Sequence, residues 1–333
     1  MEALRVGFIG CGSHSGLRLY PGLEEAGLEL VAVCDLDQEK ARSRAARYGA
    51  KHVYDDYEAM CHEQQLEAVL VVTGPRGHYE LTKALLALGY HVWTEKPCAE
   101  TSAQADELVE LAAKAGRIVQ TGFNYRYTLG VQRAVTLMEQ QRFAEPATVS
   151  VRWWLGESDT TKFMQHYVCH GVDLLHYLTP GGLTHVDPVD GMHVEYQRQD
   201  DYDWYVATLR GTSGCIAVLE LGAHMSGEGL YCSVDLMSKD GLLRVTDFTQ
   251  LAHYDTAPWG NLKTPGCKVF DGDHVWRTEP LLTRGGVWQT FGYTEELQRF
   301  REAIQGVREA EATVREAAWG MHVMDQLMAK AQH

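Results

Sequence analysis

Glu95, Lys96 and Pro97 bring two charges and a constrained backbone directly after the apolar run "HVWT". A lysine at the mouth of a buried strand is partly shielded from water, so its ammonium group can donate a hydrogen bond to a substrate hydroxyl or shuttle a proton. Glu95 can pair with a neighbouring base or a ribose, and Pro97 removes one amide donor. These residue types indicate a catalytic Lys96 beside a cofactor contact at Glu95.

A glycine-rich turn, "GFIGCGSHSG", follows the first apolar run of the chain and precedes a helical stretch. In the dinucleotide fingerprint G-x-G-x-x-G the first glycine permits a tight turn and the second lets a pyrophosphate approach the backbone. Ser15 stands at the third position here, where a small residue suffices. Free amides at the helix start can hold an anion; an ordinary strand–helix turn is the alternative. The predicted cofactor contacts are Gly10, Gly12, Ser13 and His14.

Asp35 ends the next apolar run, "LVAVCD", about 20 residues after the glycines. A carboxylate at this place can accept both ribose hydroxyl hydrogens of an adenosine and repels a 2′-phosphate. Leu36 follows, where an arginine would favour that phosphate. The sequence therefore predicts NAD in preference to NADP, and an ordinary strand-end aspartate is the alternative.

The elements that must position these residues alternate through the first 122 residues as short apolar runs and helical stretches. This rhythm predicts a doubly wound parallel sheet covered on both faces, an NAD(P)-binding Rossmann domain over 1–122. Ligands of such sheets bind outside the carboxyl ends of the strands. Polar residues follow three of those ends: Thr73, Pro75 and His78 as cofactor contacts, then Glu95 and Lys96, then Asn124 and Arg126 as substrate contacts.

The remaining residues, 123–333, have a different rhythm. Alternating runs joined by the turns "TSG" and "KDG" predict an antiparallel or mixed sheet, with helices at 129–141 and 164–178. Two helices are predicted within 294–330, packing back toward the first domain, and 255–292 reads as a long loop. We expect a substrate-binding and oligomerisation domain of the α/β class, because the open face of the sheet needs a partner.

A histidine-rich helix is predicted at "FMQHYVCHGVDLLHYL", which contains His166, His170 and Asp173. In an α-helix His166 and His170 share one face, and a neutral histidine can accept a hydroxyl proton. A satisfied structural histidine is the alternative. A zinc ion would need a third ligand, from Asp173 or Glu95, and no H-E-x-x-H motif is present, so we predict no metal.

The glycine turn, the E-K-P strand end, the N-x-R segment and the histidine helix make the chain resemble, over essentially its whole length, the glucose-fructose oxidoreductase / inositol 2-dehydrogenase / rhizopine catabolism (Gfo/Idh/MocA) family. The resemblance implies a Rossmann domain followed by an α/β domain with a large, open-faced, mainly antiparallel sheet. It implies a homodimer or homotetramer formed through that sheet. It also implies a nicotinamide cofactor and oxidation or reduction of a sugar or cyclitol hydroxyl.

The resemblance further implies that Lys96 touches both substrate and cofactor, that a cis peptide precedes Pro97, and that His170 is the proton acceptor. Where the family commonly has an aspartate, this chain has His166, which leaves the usual inositol or simple sugar substrate open. We expect Lys96 and His170 to act on one substrate. The predicted substrate contacts are Asn124, Arg126, His166 and Asp173.

Composition excludes several other classes. A formal net charge of -15 opposes binding to nucleic acids. The 8 cysteines form no C-x-x-C pair, which is typical of reduced thiols. No basic region leads into an apolar segment at the start, and no run of about 18 apolar residues occurs, so neither a signal peptide nor a membrane partner is expected. A cytoplasmic enzyme is predicted.

Two other functions remain open at this point. Some relatives of the resembled family keep NAD bound and use it transiently, in glycoside cleavage or internal redox. A non-catalytic NAD-binding regulator is the alternative outside enzymes, because a fold does not fix a function. The substrate and the direction of the reaction are also open.

Overall fold

The computed structural model of the protein describes residues 2–156, 163–183, 193–199, 202–223, 230–255, 275–277 and 291–331. These residues divide into two compact units. The first comprises the described parts of Met1–Asn124 and Arg284–Met321, and the second those of Tyr125–Thr283 and His322–His333.

The first unit is built on a six-stranded parallel sheet with the order β3-β2-β1-β4-β5-β6. Its central strands are buried on both faces, which explains why their sequences are apolar throughout. The doubly wound class predicted from the sequence is confirmed. The strands are β1 Leu4–Ile9, β2 Leu28–Cys34, β3 His52–Tyr54, β4 Ala68–Val71, β5 His91–Thr94 and β6 Val119–Thr121.

Helices connect these strands and begin and end at the capping residues expected of them. Asp37 accepts hydrogen bonds from two backbone amides at the start of α2, and Gly49, at φ 81°, ends it. A capping box of Thr101 and Gln104 starts α5, which Gly116 ends. The helices are α1 Ser13–Arg18, α2 Gln38–Tyr48, α3 Tyr57–Glu63, α4 Pro75–Ala87 and α5 Ser102–Ala115.

Two helices near the end of the chain follow, α8 Tyr293–Ile304 and α9 Val314–Ala331. Leu297 and Phe300 of α8 are fully buried in the hydrophobic core formed by β1, β2 and α2. The amide of Thr121 in β6 donates to the carbonyl of Ala312 at 2.7 Å. The core of the first unit is therefore completed by residues far along the chain.

The second unit contains an eight-stranded mixed sheet with the order β14-β13-β12-β11-β7-β10-β9-β8. Only the β7–β10 pair is parallel among its described pairings, so the expectation of a mainly antiparallel sheet is confirmed. The strands are β7 Thr148–Leu155, β8 His193–Gln199, β9 Tyr202–Arg210, β10 Ile216–Ala223, β11 Leu230–Ser238, β12 Gly241–Thr246, β13 Gln250–Asp255 and β14 Val275–Arg277.

Helices α6, Leu129–Glu139, and α7, Cys169–Leu178, pack on one face of this sheet, α7 on β7 and β10 and α6 on β12 and β13. The predicted hairpin turns are present, with Gly214 at φ 87° and Gly241 at φ 117°. Most of the loop expected over 255–292 lies outside the described residues. No helix in the described ranges has the length and apolar character needed to cross a membrane.

Candidate active site

The glycine turn after β1 has the geometry that a dinucleotide needs. Gly10 has φ +105°, and a Cβ there would lie 2.0 Å from the carbonyl oxygen of Val72, so only glycine fits. A Cβ on Gly12 would meet no atom within 4 Å, which leaves room above the backbone for a ligand. The Ser15 hydroxyl donates to the Gly10 carbonyl at 2.9 Å, so serine replaces the third glycine without crowding.

Asp35 lies at the end of β2 and faces the same turn. Its Oδ2 accepts from the amide of Cys11 at 2.6 Å and its Oδ1 from the amide of Asp37 at 2.8 Å. Leu36 beside it is exposed. Burial raises the pKa of the Cys11 thiol to about 11, so this thiol is protonated at neutral pH and is not a nucleophile. The open backbone at Gly12 and the fixed carboxylate fit the adenosine half of NAD.

The E-K-P strand end is joined to the glycine turn through Glu95. Its Oε1 accepts from His14 Nε2 at 2.9 Å and its Oε2 from the amide of Lys96 at 3.0 Å, and only 5% of Glu95 is exposed. Burial alone would raise the pKa of this carboxyl, but the hydrogen bond from His14 and the nearby positive charges outweigh it and hold the pKa below its ordinary value. Glu95 is therefore ionised. The Lys96–Pro97 peptide is cis, as the resemblance implied.

Gly122, after β6, permits this arrangement. A Cβ at Gly122 would lie 3.0 Å from the indole of Trp93 and 3.3 Å from Glu95 Cδ, so the side chain of Glu95 occupies the space that a larger residue would take. Lys96 itself is half-buried. Glycine at 122 is thus part of what holds Glu95 beside His14.

His78 connects two of the predicted strand ends. Its Nε2 accepts from the amide of Thr73 at 3.1 Å, which places the ring proton on Nδ1, and Nδ1 donates to the carbonyl of Pro97 at 2.9 Å. Burial lowers the pKa of this imidazole, so it is neutral. Pro75 starts α4 at its first turn, where proline is favoured. His78 contacts backbone with both ring nitrogens, and direct contact with a cofactor stays a prediction for it.

In the second unit, His170 is surrounded by aromatic rings. Its ring is nearly perpendicular to that of Tyr125 at a centroid distance of 4.6 Å and nearly parallel to that of Trp153 at 5.9 Å. Phe248 stacks on Tyr125 at 4.2 Å. Trp153 is fully buried. The sequence offered no signal for Phe248, which lies on the turn between β12 and β13.

Arg126 and Asp173 are bound to each other. The Nε and Nη2 of Arg126 donate to the two carboxylate oxygens of Asp173, at 2.7 and 2.5 Å, and only 1% of Arg126 is exposed. Both were predicted as substrate contacts, and the structure pairs them internally. Asn124, in the first unit, donates from Nδ2 to the carbonyl of Phe291 at 2.8 Å. Contact of Asn124 with a substrate stays a prediction.

His166 does not lie in a regular α-helix. Residues Met164–Val168 form a π-helical segment that continues into α7. The predicted helix is therefore present with a wider first turn, in which hydrogen bonds run from i to i+5; that His166 and His170 share one face stays a prediction. His176 is buried, and its Nδ1 accepts from the amide of Leu183, so it is a structural residue.

No group of three or more His, Cys, Asp or Glu side chains is arranged to hold a metal ion within the part of the chain that the structure describes. The seven cysteines described there are buried. The reactive groups described above are an amine, imidazoles and carboxylates.

Comparison with known proteins extends these observations. The sequence profile of the Gfo/Idh/MocA oxidoreductases, described as an oxidoreductase family with an NAD-binding Rossmann fold, matches residues 4–123. Inositol 2-dehydrogenase of Salmonella typhimurium is 25% identical over 221 residues, 63% of this chain and 64% of that protein. D-Glucoside 3-dehydrogenase of Escherichia coli K12 is 41% identical over 106 residues, 32% of this chain and 30% of that protein. The matches thus span less than two thirds of these curated relatives.

A solved structure shares the fold. A dehydrogenase from Chromobacterium violaceum superposes with a TM-score of 0.84 at 23% identity, covering 100% of this chain and 97% of that one. At this identity the likeness establishes the fold alone. The glycine turn, the Asp35 strand end and the E-K-P strand end all lie inside the matched region, and the predicted NAD-binding Rossmann fold is confirmed. Residues 4–123 of this chain therefore match the profile of an oxidoreductase family with an NAD-binding Rossmann fold.

Proposed function

We propose that this oxidoreductase is an NAD-dependent dehydrogenase that interconverts a secondary alcohol and a ketone on a sugar-like or cyclitol-like small molecule. The names of the relatives, inositol 2-dehydrogenase and D-glucoside 3-dehydrogenase, support this substrate class. Gly10, Gly12, Ser13, His14 and Asp35 would hold the dinucleotide. When bound, NAD supplies the hydride acceptor.

Lys96 and His170 have complementary roles in the proposal. The ammonium group of Lys96 donates a hydrogen bond to the reacting oxygen of the substrate and stabilises negative charge on it. The imidazole of His170 accepts the hydroxyl proton during oxidation and returns it during reduction. Asn124 and His166 are retained as proposed substrate contacts. Asp35, beside an exposed Leu36 rather than an arginine, favours NAD over NADP.

The observation that carries the proposal is the hydrogen-bonded connection His14–Glu95–Lys96. One buried carboxylate accepts from the glycine turn and from the amide of the E-K-P lysine. This joins the segment that would bind the dinucleotide to the segment that carries the reactive amine. A purely structural turn would need neither an ionised buried carboxylate nor a lysine at this strand end.

The test combines a substrate screen with two substitutions. Cyclitols, pyranoses and glycosides are incubated with NAD or NADP, and NADH formation is followed by absorbance. With an active substrate, Lys96→Ala and His170→Ala should each lower kcat by about 100-fold or more, the range of general acid–base catalysis, with NAD affinity by calorimetry near that of the wild type. Lys51→Ala and His62→Ala, at exposed positions, are the matched controls. Normal turnover in either test variant would refute the assignment.

The same screen separates the other two functions. An enzyme that uses bound NAD transiently converts substrate without net NADH production, which chromatography of the products reveals. A regulator binds NAD and converts nothing in the screen. Net NADH that tracks the amount of ketone formed supports the dehydrogenase against both.

We also propose that a second copy of the chain binds the face of the eight-stranded sheet opposite α6 and α7. Tyr231 and Met237 are exposed there, beside the half-buried Trp154 and Trp204. Arg152 bridges Glu220 and Asp235 on this face, and Arg244 binds Asp235 as well. A two-fold axis would pair this patch with itself, aromatic groups around a charged centre. Met237→Glu should lower the mass measured by analytical ultracentrifugation; an unchanged mass, or a monomeric wild type, contradicts the proposal.

A further inference from the structure

Two consecutive residues, Tyr125 and Arg126, contact one stripe of helix α7. Tyr125 meets the ring of His170, and Arg126 binds the carboxylate of Asp173 one helical turn further on. The guanidinium of Arg126 also lies 4.8 Å above the ring of Tyr177, four residues after Asp173. Residues at i, i+3 and i+7 occupy one side of a helix, so this segment follows the stripe that carries His170.

Gln132 links the Arg126 backbone to helix α7. Gln132, on α6, donates from Nε2 to the carbonyl of Arg126 at 2.8 Å and to the hydroxyl of Tyr177 at 3.1 Å. The backbone and the side chain of Arg126 are therefore both tied to α7. The planar guanidinium gives two parallel hydrogen bonds to Asp173, a geometry that a lysine cannot reproduce.

The burial of the pair shows how strongly its geometry is fixed. Arg126 is 1% exposed and the Asp173 side chain 4% exposed, so both charges are removed from water. Such a pair stabilises the fold only with good geometry, and removal of one partner leaves an uncompensated buried charge. A polyhydroxylated ligand would have to break two charge-assisted hydrogen bonds to reach either group.

We propose that Arg126 and Asp173 are positioning residues that set the orientation of the His170 imidazole, and that they are not substrate ligands. This inference rests on the proposed function for its kinetic part. Asp173 fixes the helical turn that follows His170, while Tyr125 and Trp153 limit the ring on two sides. The pair thus acts on the reaction through the histidine.

Kinetics distinguish the two roles. Asp173→Asn and Arg126→Lys should each lower kcat by about 10- to 100-fold, because misplacement by about 1 Å has effects of that size, while KM for the substrate and the Kd for NAD change by less than about twofold. A substrate ligand would give the reverse, a raised KM with kcat retained. That result overturns the inference.

A stability control separates positioning from folding. Single substitutions in a buried pair are strongly destabilising, whereas replacing both partners with apolar residues is often neutral. R126M/D173L should therefore regain much of the melting temperature that the single variants lose, and still turn over slowly. Thr179→Val, which removes a hydrogen bond at the end of the same helix, should lower the melting temperature with kcat unchanged. If R126M/D173L regains kcat together with its stability, then Arg126 and Asp173 have only a structural role and the inference is refuted.

A second readout does not depend on catalysis. With histidine labelled at 13Cε1, His170→Asn identifies the His170 resonance, whose position reports the ring currents of Tyr125 and Trp153. It should shift or broaden in Arg126→Lys, Asp173→Asn and R126M/D173L, and stay in place in Thr179→Val. If no substrate is converted, the proposed function fails, and this spectrum still decides the inference: an unmoved His170 resonance refutes it.

Discussion

Replacing His14 with alanine tests the connection between the glycine turn and the E-K-P strand end. In the wild type, the buried Glu95 carboxylate accepts from His14 Nε2 at 2.9 Å and from the amide of Lys96 at 3.0 Å. Burial acts to raise the pKa of Glu95, and the contact with His14 is the first of the effects that oppose it. Without the imidazole, we expect the pKa of Glu95 to rise above its ordinary value.

The size of the effect follows from the contact that is lost. A hydrogen bond to a charged group contributes about 1.5–3 kcal/mol. Since 48% of the His14 side chain is exposed, water screens the contact and the lower end, about 1.5 kcal/mol, applies. A loss of this size lowers the melting temperature by about 3–6 °C.

The pH dependence gives the sharper test. In the wild type, the lowered pKa of Glu95 gives stability that is complete above the unfolded value, near 4.5, and is lost as the pH falls through the folded value. In His14→Ala the raised pKa reverses the sign of the contribution of Glu95 to the free energy of unfolding. The buried carboxylate then destabilises the protein at neutral pH, and its protonation removes this cost as the pH falls toward 4.5. The stability difference between variant and wild type should therefore shrink on acidification.

Scanning calorimetry at pH 7, 6 and 5 measures this difference, with the exposed His62→Ala as the matched control. A second variant, H14A/E95Q, removes the buried charge and should lose most of the pH dependence of the single variant. If His14→Ala loses the same stability at every pH, or if His62→Ala loses as much, then the ionisation of Glu95 does not depend on His14.

Three further predictions concern the same unit. Gly10→Ala should lower the free energy of unfolding by at least about 2 kcal/mol, because at φ +105° its Cβ would lie 2.0 Å from the carbonyl oxygen of Val72. Gly12→Ala should keep the melting temperature of the wild type but weaken NAD binding about tenfold. Calorimetry measures both quantities. Asp35→Asn removes about 1–4 kcal/mol of repulsion toward a 2′-phosphate, so the ratio of Kd for NADP to Kd for NAD should fall at least about fivefold. Because burial lowers the pKa of His78, the contribution of this residue to stability is complete above pH 6.5 and is lost as the pH falls below that value. His78→Gln should therefore flatten the slope of the free energy of unfolding against pH below pH 6.5.

Much of the first unit was predictable because its signals are local. Apolar runs between helical stretches gave the parallel sheet, and glycines end two of those stretches, Gly49 after α2 and Gly116 after α5. The short β3 and the helix α3 after it were not predicted. Strand β3 is only three residues long and partly exposed, so it has no apolar run to reveal it.

The residues of the candidate site were easier to predict than the contacts between them. His14 and Glu95 are 81 positions apart, and Arg126 and Asp173 are 47 apart. The residue types indicated reactive groups, but which group neutralises which depends on the tertiary structure. The π-helical segment at Met164–Val168 was also missed, because its sequence has the spacing of an α-helix and carries no signal for the wider turn.

The contribution of Leu297 and Phe300 to the hydrophobic core of β1 and β2 has a consequence during synthesis. When the strands of the first unit leave the ribosome, the helix that covers this part of their core has not been translated. At about 5–20 residues per second, the interval between residues 124 and 304 lasts about 10–40 seconds. Throughout that time the apolar side chains of β1 and β2 that pack against Leu297 and Phe300 lack this cover, so this part of the core can be completed only late in synthesis.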